Sequence, residues 1–177
     1  MPSILTTRWP WFAALAAGAL LAAAHAFERF GGLAPCVLCL RQREAHWMAL
    51  GLAVALGVLT LVRKGEGARR AACAVLAIAF LYAAGWAAFH MGVEFKWWAG
   101  PAACAGGGLG EITPDSIAAA LDGAQKVVRC DEVAWRFLGV SMAGWNAIIS
   151  LTLAGMSAGV AFAPRPRPAA VGRDSHA

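Results

Sequence analysis

The chain has 177 residues, of which 60% are hydrophobic and only 14% charged, with a formal net charge of +5. Soluble domains are about a quarter charged, so this composition excludes an ordinary water-soluble enzyme. The basic residues gather in short runs between long apolar stretches and form no nucleic-acid patch.

Four intervals lack Asp, Glu, Lys and Arg: 9–27, 45–62, 71–93 and 137–164. Each supplies the roughly 20 apolar residues that cross a hydrocarbon core of about 30 Å. None sustains the period-two alternation of a barrel strand. They predict helices at about 9–27, 43–62, 71–92 and 140–163, within one transmembrane domain over 1–163. The expected fold is an all-α membrane protein, a four-transmembrane-helix bundle with a long periplasmic loop bearing a short surface helix.

The first helix has a competing reading. Arg8, the apolar run and Ala24-His25-Ala26 mimic a secretory signal with an A-x-A cleavage site. The run is at or beyond the long end of a signal core, and keeping it as a helix brings both cysteine-bearing loops to one side. The first external loop, 28–42, ends in Pro35-Cys36-Val37-Leu38-Cys39, where the second helix begins. Pro35 suits a first helical turn, which makes the cysteines the earliest side chains of that helix. A C-x-x-C pair there has depressed thiol pKa values, because free backbone N–H groups and the helix dipole favour thiolate. The spacing also serves zinc sites. Arg43, four residues after Cys39 and on the same face, sharpens the redox reading. It places positive charge beside a thiolate or a reduced oxygen acceptor at the bilayer edge, where an unpaired charge is usually functional; snorkelling to headgroups is the alternative.

The second external loop, 93–139, is long enough to need a reason. Trp97-Trp98 suits a headgroup interface. Gly100-Pro101 and Gly106-Gly107-Gly108 flank Cys104 and predict a mobile, exposed cysteine. Thr113, Pro114 and Asp115 have the order of a helix start. Ile117, Leu121, Ala124 and Val128 give that segment one apolar face, so it is expected on the membrane surface or packed on the other loop. Cys104 and Cys130 share this loop. Bridged, they would be either a structural staple worth about 3 kcal/mol or an exchange site open to a partner's thiolate. Cys73, inside the third helix, reads as a small packing residue. The Pro/Arg-rich tail, 164–177, is expected to be disordered and cytoplasmic.

Orientation follows from Lys and Arg in the short connections. With both termini inside, Arg8, then Arg63, Lys64, Arg69 and Arg70, then Arg165, Arg167 and Arg173 face the cytoplasm. Cys36, Cys39, Cys104 and Cys130 then face an oxidising compartment, where disulfides persist.

Cys36-Val37-Leu38-Cys39 followed by Gln42-Arg43, then Cys104, then Cys130 before Trp135-Arg136-Phe137-Leu138-Gly139, Ser141-Met142 and Trp145-Asn146, resembles the bacterial disulfide bond formation protein B (DsbB) family. The resemblance runs from the first helix to the fourth. It implies a quinone-dependent thiol oxidoreductase of the inner membrane that reoxidises a periplasmic DsbA-like thioredoxin-fold oxidase, with ubiquinone or menaquinone as acceptor and no metal. By position, Cys104 resembles the cysteine attacked by that partner, Cys130 would exchange with Cys36, and Cys39 beside Arg43 would pass electrons to the quinone. His90 and Glu94, one turn apart near the external end of the third helix, resemble positions beside the quinone ring. Some relatives carry an acidic residue where this chain has Gln42, which here leaves Arg43 without an adjacent counter-charge. His25 and His46 are weaker candidates and are not carried over. A vitamin K epoxide reductase-like thiol oxidase, and a non-enzymatic metal site built from Cys36, Cys39 and His90, are the rival readings.

Overall fold

The computed structural model describes residues 2–63, 65–105, 126–127 and 129–164. Four long helices carry it: α1 (Pro2–Gly31), α2 (Val37–Val62), α3 (Glu66–Glu94) and, after a single turn α4 (Ala102–Ala105), α5 (Met142–Phe162). Each of the four long helices holds a stretch long and apolar enough to cross a membrane. Even the shortest, at 21 residues, extends about 32 Å. The surface helix expected from Thr113, and the tail beyond Pro164, lie outside the described residues.

Helix ends do not coincide with the charge-free runs. α1 starts at Pro2 rather than 9, α2 at Val37 rather than 43, and α3 at Glu66 rather than 71. Charge marks where a segment leaves the hydrocarbon, whereas a helix continues as long as its backbone groups find partners.

Packing is small inside and large outside. Ala13, Ala17, Ala49, Ala53, Ala83 and Ala87 are fully buried, while Leu15, Leu61, Val62 and Ile78 each expose more than half their surface. A water-soluble protein reverses that order; small residues at helix interfaces let backbones approach where lipid supplies no hydrophobic drive. The most extensive interfaces are α3 on α5 and α1 on α2. In the core, Trp9 Nε1 donates to Ser157 Oγ at 2.9 Å, so α1 and α5 share a satisfied polar contact.

One end of the bundle carries the loops. There β1 (Leu33–Ala34) pairs in parallel with β2 (Lys126–Val127), bringing the chain before Cys130 alongside the chain before Cys36. β3 (Arg136–Phe137) and β4 (Val140–Ser141) form a hairpin whose two connecting residues, Leu138 and Gly139, both have positive φ. That is the backbone a two-residue primed turn requires.

After α3 the chain folds back so that Trp98 stacks on Phe89 and donates from Nε1 to the Phe89 carbonyl at 3.0 Å. Gly92 makes room for this: a Cβ there would lie 2.0 Å from Trp98 Cζ2. Gly92→Ala is expected to displace the indole and cost about 1–3 kcal/mol. Thermal unfolding in detergent would read this as a lowered midpoint. An unchanged midpoint would mean that the indole is not held there.

Candidate functional site: two cysteine pairs and an apolar cavity

Cys36 is the N-cap of α2, with extended backbone at φ −75° and ψ 170°. Its Sγ accepts from the Cys39 N–H at 3.2 Å, taking the place of the usual capping oxygen. Pro35 therefore precedes the helix and does not occupy its first turn as the sequence suggested. Cys36 and Cys39 are not bonded to each other, and their sulfurs lie 2.7 Å apart. The Cys36 thiol is lowered to about 5, first by the hydrogen bond from the Cys39 thiol, with burial opposing it. A hydrogen bond from His90 assists the lowering.

Cys104 and Cys130 form a disulfide with Cα atoms 5.4 Å apart. It is not the exposed bridge that the sequence suggested: Cys104 is 5% and Cys130 1% exposed, and both pack with Cys36, Leu38 and Val93. Gly100 contributes closeness here. A Cβ at that position would stand 3.3 Å from Cys104 Cβ and 3.1 Å from Val93 Cγ1. Cys104 N–H donates to the Pro101 carbonyl at 2.8 Å, closing the turn that begins α4. Beyond Cys130, Lys96 Nζ donates to the Asp131 carboxylate at 2.6 Å and to its carbonyl at 2.7 Å. Arg129 joins the same carboxylate at 3.1 Å. Lys96 and then Arg129 hold the Asp131 carboxyl down to about 2. This charged clamp fixes Cys130 to the end of α3.

Beside the dithiol lies a largely apolar cavity of about 380 Å³. Cys39, Gln42, Arg43, His90 and Glu94 all line it, as do Glu28, His46 and Asn146, which the sequence reading did not select. The two cysteines of the C-x-x-C differ in outlook: Cys39 borders the cavity, whereas Cys36 is 4% exposed and sits in the cluster with the disulfide. Arg43 is not free of a counter-charge. It forms an ion pair with Glu28 of α1 and donates from Nη2 to the Ala24 carbonyl at 3.0 Å. The partner comes from another helix, which inspection of the neighbouring residue 42 could not reveal. Glu94 accepts from the Ser141 hydroxyl, joining α3 to the start of α5.

A signal for the missed residues was present. Cys39, Gln42, Arg43 and His46 recur at three and four residues along α2, and Asn146 and Ser150 do so on α5. Polar stripes inside apolar helices face a bundle interior or cavity. His25 remains local, its Nδ1 2.8 Å from the Leu21 carbonyl of its own helix.

A dithiol that caps one membrane helix, packed against a loop disulfide, defines a membrane-embedded thiol–disulfide oxidoreductase. The family model for disulfide bond formation protein DsbB matches residues 6–160, and the chain belongs to the DsbB family. It is accordingly an inner-membrane, multi-pass enzyme of disulfide bond formation, a quinone-linked thiol oxidoreductase. No curated protein and no solved structure gives a significant match.

Proposed function

We propose that electrons from a periplasmic, thioredoxin-fold dithiol oxidase enter at Cys104 and leave through Cys39 to a quinone in the cavity. The observation that carries this reading is the different outlook of the C-x-x-C cysteines. Cys36 belongs to the buried cluster of the Cys104–Cys130 disulfide and does not line the cavity, whereas Cys39 packs against that cluster and also lines the cavity.

A partner thiolate attacks Cys104 Sγ, breaking the bond to Cys130 and forming a mixed disulfide. Cys130, released as thiolate, attacks Cys36 Sγ of an oxidised Cys36–Cys39 pair and displaces Cys39. The second partner thiolate resolves the first mixed disulfide, and the Cys104 thiolate resolves the second. The partner leaves oxidised, Cys104–Cys130 is restored, and Cys36 and Cys39 are reduced.

The cavity suits a quinone: its walls are largely apolar, Arg43 lines it with a guanidinium able to donate hydrogen bonds, and His90 lines it beside Cys36. Ubiquinone or menaquinone, when bound, would supply a two-electron, two-proton acceptor, and Cys36 and Cys39 would give up those electrons and protons as their disulfide reforms. Arg43, which lines the same cavity as Cys39, brings positive charge toward that sulfur when it is displaced. Gln42 and Glu94 shape the polar end. The N- and C-termini are cytoplasmic on the strength of the basic short connections. Cytoplasmic-side labelling of reduced Cys104 or Cys130 in intact cells would refute that orientation. One domain over 1–163 completes the proposed organisation.

Protein with its Cys104–Cys130 bridge intact, mixed with a reduced thioredoxin-fold dithiol oxidase whose second cysteine is replaced by Ala, is expected to accumulate a mixed disulfide through Cys104, with Cys130 released as the leaving thiolate. Capture of the partner at another cysteine would overturn the route.

A metal-binding reading has one observation in its favour. The ligand atoms of Cys36, Cys39 and His90 lie within 4.8 Å of one another. The redox reading expects purified protein to carry far less than one equivalent of zinc. Stoichiometric zinc that disappears with Cys36→Ser would favour the metal site.

A further inference from the structure

Along the cavity wall, four polar side chains make a continuous hydrogen-bonded chain that ends on Cys36. His46 Nε2 lies 2.7 Å from Asn146 Oδ1, and Asn146 Nδ2 lies 2.5 Å from Gln42 Oε1. Gln42 Nε2 lies 2.7 Å from His90 Nδ1, and His90 Nε2 lies 3.8 Å from Cys36 Sγ. His46 is 3%, Gln42 7% and His90 5% exposed, and Asn146 is half-buried.

Such a chain can run in two directions, because each amide can turn over and each imidazole has two tautomers. One direction brings an N–H to Cys36 Sγ; the other brings a lone pair. Two independent contacts select between them. At the far end, His46 Nδ1 is buried with no hydrogen-bond partner. A buried N–H left unpaired is the costlier orphan, so the ring proton belongs on Nε2 and is donated to Asn146 Oδ1. Ser150 Oγ donates to the same oxygen at 3.1 Å. In the middle, Gln42 Nε2 lies 3.4 Å from the Leu38 carbonyl, which can only accept. Gln42 therefore keeps its NH2 toward Leu38 and His90, and its oxygen toward Asn146. Both contacts impose the same direction. His90 Nδ1 must accept, which leaves the ring proton on Nε2, facing Cys36.

We infer that His46 and Asn146 are positioning residues that act through Gln42 to fix His90 as the Nε2–H tautomer, donating to the Cys36 thiolate. A sulfur with a permanent donor is a better leaving group when the Cys36–Cys130 bond breaks. The same tautomer denies a metal ion the Nε2 lone pair. The titratable groups facing Cys36 are Cys39 from α2 and His90 and Glu94 from α3; the Cys104–Cys130 bridge does not titrate. The significance of the chain rests on Cys36 being the cysteine that exchanges with Cys130, but the tautomer can be read without any turnover.

The test is nitrogen NMR of full-length, histidine-labelled protein in nanodiscs with Cys36 and Cys39 reduced. The His90 signals are assigned by their loss in His90→Gln. The expected result is a lone-pair-type Nδ1 and a protonated Nε2. An Nδ1–H ring, or rapid averaging of both forms, would overturn the inference while leaving the electron route standing. Asn146→Asp can only accept, so Gln42 must turn and offer its oxygen to His90 Nδ1. This variant is expected to invert the tautomer and to raise the titration midpoint of Cys36 by about 1–2 pH units. Should it not fold, His46→Phe removes the anchoring donor and is expected to populate both tautomers. Retention of the pure Nε2–H form in whichever variant folds would show that the chain does not set it.

Discussion

Cys39→Ser is expected to reduce steady-state quinone reduction by at least about a thousandfold, since a serine hydroxyl is neither a comparable leaving group nor a two-electron donor. The Cys104–Cys130 disulfide does not depend on that sulfur. It should still oxidise one equivalent of the reduced partner in a single turnover. Cys104→Ser is expected to lose both reactions, because the partner then has no disulfide to attack. Comparing the burst with the steady state in the two variants separates entry of electrons from their exit. Steady turnover surviving Cys39→Ser would mean that electrons leave by another sulfur. That outcome would remove the meaning assigned to the position of Cys39 on the cavity wall.

Arg43→Ala is expected to raise the apparent KM for quinone by about 10- to 100-fold, the usual worth of a hydrogen bond to a charged group. The guanidinium spends donors on Glu28 and on the Ala24 carbonyl, and the side chain also lines the cavity. Removing it also leaves Glu28 without its partner, so the variant needs a control. Glu28→Gln keeps the shape of the pair and removes its counter-charge. If Arg43 acts on the quinone directly, Glu28→Gln should leave KM within about threefold of the parent. A rise as large as that of Arg43→Ala would instead mean that the pair serves to hold α1 against α2. An unchanged KM in Arg43→Ala would reduce Arg43 to a structural residue.

The bundle was legible because its determinants are local. Twenty uncharged apolar residues must either span a bilayer or be buried, and nothing distant in the chain alters that requirement. Cys36 and Cys39 were legible for a similar reason: a proline followed by a cysteine pair at the head of an apolar run fixes their place on the helix. Properties that arise between helices were not legible. The Glu28–Arg43 ion pair joins α1 to α2, and the chain from His46 to Cys36 passes through α5 and α3. Cys104 illustrates the opposite error. Its neighbouring glycines suggested freedom, yet Gly100 serves close packing against Val93 and Cys104 itself. A glycine in a sequence permits either outcome, and only the surrounding contacts decide between them.

His46 shows how a correct general rule can still miss a residue. A lone histidine on an apolar helix is most often a satisfied core residue, and by itself it was rightly given little weight. Its importance comes from its spacing to Gln42 on the same face and from Asn146 opposite. Neither Gln42 nor Asn146 contacts a sulfur directly among the described hydrogen bonds. Both gain their place through His90, which stands 3.8 Å from Cys36.

The most direct test of the account is quinone reduction by the full-length purified protein, driven by a reduced periplasmic thioredoxin-fold dithiol oxidase. The predicted result is continuous turnover with one quinol formed for each partner disulfide, abolished by Cys39→Ser. Partner oxidation that stops after one equivalent with quinone in excess, or quinol formation that ignores the partner, would contradict it.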